Sequence, residues 1–118
     1  MHDRPAIKTA IPKGRWQLGD YGATLLGEIE SGDGRSYRWI LAFVRQGQRE
    51  PGLYVCAERP PPGEGAPGDL VLRAVCESFC ETLDRDPRWA DRETFADQAL
   101  KVGAQALGLQ RERQVRLM

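Results

Sequence analysis

Between residues 25 and 58 three short segments keep their apolar side chains on odd-numbered positions. Leu25 and Ile29, then Tyr37, Trp39, Leu41 and Phe43, then Leu53, Val55 and Ala57 share one frame of period two. Successive strand residues point to opposite faces, so this frame predicts a half-buried antiparallel β-meander. Gly32, Asp33 and Gly34 supply residues that tolerate positive φ between the first two segments, a common three-residue hairpin closure. The resulting register sets Leu25 opposite Leu41, Gly27 opposite Trp39, Ile29 opposite Tyr37, and Glu28 against Arg38. A second turn over residues 46–52, with Pro51 and Gly52, brings Phe43 beside Val55.

On either side of this meander the pattern changes. Residues 1–14 mix Pro5, Pro12, Lys8 and Lys13 without a period and read as an arm, while residues 15–18 are a candidate leading strand with Trp16 and Leu18 on one face. Residues 59–69 are rich in proline and glycine. They read as a connector from sheet to helix, because proline lacks the ladder donor. Beyond it Leu72, Val75, Cys76, Phe79, Cys80 and Leu83 recur at helical spacing behind Asp69 as a cap, which predicts a first amphipathic helix. Pro87 and Asp91 open a second, carrying Phe95, Ala99, Val102, Ala106 and Leu109 and ending at Gly108. The expected fold is therefore a single α+β domain, an antiparallel sheet of three or four strands followed by two helices on one face. The last residues, 115–118, either lie along the sheet edge or fray.

Composition narrows the function classes. The 118 residues suit one domain with one core. Formal net charge is zero, so no global field gathers nucleic acid or an anionic membrane. The basic residues, all arginine except Lys8, Lys13 and Lys101, are scattered along the chain. The longest wholly apolar run, residues 39–44, is too short to span a bilayer, and a soluble cytoplasmic protein is expected. Three cysteines, an odd count with Cys76 and Cys80 on the helical stripe, suggest reduced thiols rather than a disulfide framework.

Catalytic chemistry finds little support. The single histidine is His2, and nucleophilic catalysis needs a base beside an activated thiol or hydroxyl. Cys76 and Cys80 read as small core hydrophobes. Cys56, on the even face of its strand, is the thiol expected to react. Glu28, Glu30 and Asp33 read as solvated turn charges, the glycines of residues 19–22 and 32–34 belong to turns, and residues 21–34 match no catalytic signature. No catalytic residue, metal or cofactor is assigned.

One feature resists this bland account. Leu26, Ile40, Ala42, Val44, Tyr54 and Cys56 make the even sheet face too apolar to be left in water. Leu26, Ile40, Val44, Tyr54 and Cys56 are the candidate interface, with a homodimer partner, the N-terminal arm or a ligand as possible covers. The leading expectation is a non-enzymatic, homodimeric interaction or accessory module. A nucleic-acid binder using Tyr37, Arg38, Trp39, Arg45 and Tyr54 as a sheet platform is the first alternative, although nucleic acid is not the expected partner. A small-molecule enzyme with a pocket between sheet and helices is the second.

Overall fold

The computed structural model describes residues 3–118; His2 lies outside them. Seven strands form one antiparallel sheet: β1 (Ile7–Leu18), β2 (Tyr21–Ser31), β3 (Tyr37–Arg45), β4 (Leu53–Glu58), β5 (Leu70–Cys76), β6 (Cys80–Asp86) and β7 (Gln114–Arg116). Their spatial order is β6-β5-β4-β3-β2-β1-β7. A 3-10 turn at Pro87–Ala90 leads into the one α-helix of the described residues, α1 (Arg92–Leu107). No helix among them is long and apolar enough to cross a membrane.

The expected meander of three or four strands with two helices is thus corrected to a seven-stranded sheet with one helix. The segment expected to form the first helix is the β5–β6 hairpin, closed by a hydrogen bond from the Cys76 N–H to the Phe79 carbonyl (2.9 Å). Leu70–Cys76 is apolar at every position but Arg73, so it satisfies a helical and a strand period equally. The tie is broken by β-branched Val71 and Val75 and by a ladder to β4 that runs without a shift from Leu53–Cys76 to Glu58–Val71. Residues 59–69 consequently connect two neighbouring strands rather than sheet to helix. Much of the expected arm is also sheet, because Ile7 to Gly14 form the first part of β1 and residues 15–18 its end.

α1 stands closer to expectation. The Asp91 carboxylate accepts from the Thr94 N–H (2.9 Å) and hydroxyl (2.8 Å), and Gly108 caps the other end at φ 71° with buried Leu109 behind it. The buried stripe is Phe95, Ala96, Ala99, Leu100, Gly103 and Ala104, whereas Ala106 faces solvent. It packs on the odd-frame residues Leu25, Trp39, Leu41, Phe43, Leu53, Val55 and Ala57, joined by Trp16, Leu18 and Trp89. Leu25 does pair with Leu41, and a Cβ on Gly27 would stand 2.6 Å from the Trp39 ring. Phe43 pairs with Leu53, and Val55 with Leu41, two residues from the expected register.

The opposite face has its own cluster of Tyr37, Ile40, Ala42, Tyr54, Cys56 and Val75, against which Ile7, Leu26 and Ile29 pack. Ile29 reaches it because Glu28 adopts φ 48°, a bulge that reverses the strand's parity after Gly27. The expected pairings of Ile29 with Tyr37 and Glu28 with Arg38 are lost for the same reason; Glu28 instead pairs with Lys13. The segment before Ile7 is tied down as well. Arg4 pairs with Glu50 (2.9 Å), Pro5 is buried, and the Gly32 N–H donates to the Ala6 carbonyl (2.6 Å).

Candidate functional site

Where β4 ends, the Arg59 N–H donates the last ladder-like bond to the Ser36 carbonyl (2.9 Å), and three prolines then forbid further pairing. The connector folds back through Gly63, Gly65 and Gly68, all at positive φ. Asp69 holds its base by accepting from the Ala66 N–H (3.0 Å), and a Cβ on Gly65 would stand 3.2 Å from Arg85. Only glycine combines that backbone with that approach. The β2–β3 turn lies across from this loop. Between them is a cleft of about 770 Å³ whose floor is Glu58, Val71 and Arg73 and whose walls include Arg35, Arg59, Arg85, the three prolines, Cys80 and Thr82.

The floor is a buried ion pair. Glu58 and Arg73 are each 5% exposed; Arg73 Nε lies 2.7 Å from Glu58 Oε1, and Nη2 donates to Oε2 at 3.3 Å. The Nε contact is ionic rather than a linear hydrogen bond, since that N–H has no well-aligned acceptor. Arg73 Nη1 points to Cys80 Sγ (3.2 Å), and Arg35 Nη1 reaches Glu58 Oε1 from the cleft wall (3.1 Å). Burial, the largest single influence, favours the neutral guanidine, but the Glu58 carboxylate together with the contacts to Cys80 and Cys56 outweighs it and holds the Arg73 pKa above its usual value.

Beside the cleft, Asp33 organises the turn. Its Oδ2 accepts from the Tyr37 hydroxyl (2.6 Å) and the Ala6 N–H (3.1 Å), and its Oδ1 from the Arg35 N–H (3.0 Å). Partial burial opposes ionisation, yet these donors together hold the carboxyl below its ordinary value. Tyr37 moves the other way, raised first by burial and then by the carboxylate its hydroxyl contacts.

The chain matches no protein-family model, no curated protein and no solved structure.

Of the candidate interface residues, Ile40, Tyr54 and Cys56 are buried by the chain's own second cluster, while Leu26 and Val44 are half-buried. Pairing of two copies through Ile40 and Tyr54 would require Ile7, Ile29 and the segment before them to move aside. The aromatic platform is not assembled as a surface: Tyr37 and Tyr54 are buried on the second face, and Trp39 is buried on the helix face. Trp39 Nε1 donates to the Ala90 carbonyl (3.0 Å), Arg38 lies over the Trp39 ring, and Arg45 pairs with Asp20. Nor do the thiols sit as expected. Cys56 is fully buried, with its pKa raised chiefly by that burial, whereas half-buried Cys76 packs against the helix-face core and exposed Cys80 meets Arg73 in the cleft, so the two do not share the face that a helical stripe predicts. The space between α1 and the sheet, where an enzyme pocket was a possibility, is filled by Phe43, Phe95, Ala99 and Gly103.

Glu58 and Arg73 escape a reading that counts arginines as scattered. A signal existed in the sequence: one arginine inside Leu70–Cys76 must find a counter-charge if that run is buried, and Glu58 closes a strand whose other side chains are all apolar or aromatic.

Proposed function

We propose that this protein is a non-enzymatic interaction module that meets its partner with the cleft between the β2–β3 turn and the proline-rich loop. The observation that carries this reading is the convergence of Arg35, Arg59, Arg73 and Arg85, supplied by four separate elements, on one open cleft. Both sheet faces meanwhile spend their apolar residues internally. Recognition would rest on loops held by a rigid sheet, the usual division of labour between scaffold and binding surface. Three free thiols support a reducing, cytoplasmic setting. A nucleic-acid platform draws less support, because the aromatic rings that would stack on bases are buried.

Site-directed photo-crosslinking tests this reading, with the reactive amino acid placed at Pro61 or, as a control, at exposed Gln105 on the far side of α1. Adducts to a partner form from Pro61 and not from Gln105, and the purified partner slows amide exchange at residues 34–36 and at Glu58, Arg59, Gly63 and Glu64, the prolines between them having no amide hydrogen. Adducts confined to Gln105, or protection confined to another surface, overturn the reading.

A further inference from the structure

We infer that the cleft takes the carboxylate of an acidic peptide segment between Arg35 and Arg59, an inference that rests on the interaction surface just proposed. Glu58 carries one negative charge but faces two guanidinium groups, Arg73 at 2.7 Å and Arg35 at 3.1 Å. Arg73 is consumed in the floor. Arg35 spends only Nη1 on Glu58, its side chain is 48% exposed, and its Nε and Nη2 have no acceptor among the described residues. Arg59, also on the cleft wall, has no acidic partner among them. Arg85 is set apart by Glu64 at 4.0 Å. The unspent positive charge is therefore local to Arg35 and Arg59, whose planar donors match a two-oxygen anion.

The surroundings select the source of that anion. Asp3 and Glu64 also line the cleft, and they would repel a continuous phosphodiester chain while tolerating a single carboxylate with uncharged neighbours. The Pro60–Pro62 ridge offers an apolar wall on which a tyrosine or leucine flanking the acidic residue can rest. Zero net charge supplies no long-range pull on a polyanion.

Fluorescence anisotropy with the full chain decides the matter. The probes are a labelled peptide with one glutamate flanked by tyrosine and uncharged residues, the same peptide with glutamine for glutamate, and a single-stranded oligonucleotide. The glutamate peptide binds, the glutamine peptide binds at least about 10-fold more weakly, and Arg35→Ser and Arg59→Ser each lower affinity by about 10-fold or more. Arg113→Ser, outside the cleft, changes nothing, and circular dichroism melts confirm that all variants fold. Equal affinity for the two peptides, no binding of either, tighter binding of the oligonucleotide, or indifference to both cleft substitutions overturns the inference. Crosslinks from Pro61 without glutamate-peptide binding would sink this inference alone, whereas crosslinks mapping elsewhere sink the interaction surface itself.

Discussion

Gly103 of α1 lies directly against the Phe43 ring of β3, so close that a Cβ built on the glycine would stand 2.0 Å from the ring Cζ. Alanine is ordinarily the better helix residue by about 1 kcal/mol. Here the clash dominates, because closely packed cores lose about 1–3 kcal/mol to an inserted methyl group. Gly103→Ala is expected to lower the urea midpoint, and Gly103→Ala with Phe43→Leu to recover part of the loss. A stabilised single variant would refute this packing.

The Glu58–Arg73 pair should show strong coupling in a double-mutant cycle. Breaking a buried pair from one side costs about 3–5 kcal/mol because the survivor keeps its charge without a counter-charge. Glu58→Gln and Arg73→Met should each destabilise severely, and the double variant by less than the sum of the two. Additive losses in equilibrium unfolding would show that the charges do not sense one another.

Acid should loosen the turn that Asp33 organises. Its folded pKa is depressed below the ordinary aspartate value of 3.8, so the carboxylate contributes stability that is fully present above 3.8 and lost as pH falls through the lower, folded pKa. Between about pH 5 and pH 2 the wild type should lose more stability than Asp33→Asn, which lacks the titrating group. The Ala6 amide, which donates to Asp33, is the local reporter; equal acid sensitivity of the two proteins would remove Asp33 from the account.

The thiols should separate by rate. Cys80 is exposed, Cys76 half-buried and Cys56 buried with its thiol pKa raised, and the thiolate is the reactive form. Maleimide labelling followed by peptide mapping should find Cys80 first and Cys56 only on unfolding. Early modification of Cys56 would mean that the second cluster opens readily.

Two variants test whether the second face drives self-association. Ile40 is fully buried, so Ile40→Glu should unfold the chain rather than yield a folded monomer. Removing residues 1–6 deletes buried Pro5, the Arg4–Glu50 pair and the Ala6 bond to the Asp33 that holds Tyr37, and should loosen the second cluster. Light scattering should show that truncation promotes association. A truncated chain that associates no more than the intact one would deny these residues a covering role.

Legibility in the sequence followed the number of constraints on each segment. β3 and the core half of β2 announced themselves because alternation, turn glycines and the Leu25–Leu41 pairing agreed, and α1 because Asp91 and Gly108 bracket it. β5 escapes a periodic reading because a run apolar on both faces has no period to detect, and β6 because an exposed edge strand lacks an apolar face. The second apolar face was visible, but its cover was not: the parity reversal at Glu28 depends on a backbone conformation that glutamate seldom adopts. The cleft was hidden for a related reason, since Arg35, Arg59, Arg73 and Arg85 meet only through the sheet order.

The pairing of β7 with the end of β1 also has a temporal side. Trp16 opposes Arg116 across almost the full length of the chain, whereas each pairing from β1 through β6 joins consecutive strands. Hairpins can therefore zip as the polypeptide emerges from the ribosome, but the outer side of Trp16–Leu18 stays open until the carboxyl-terminal residues arrive. Until then that margin is an unpaired strand edge, which another newly made chain could use as a template for pairing.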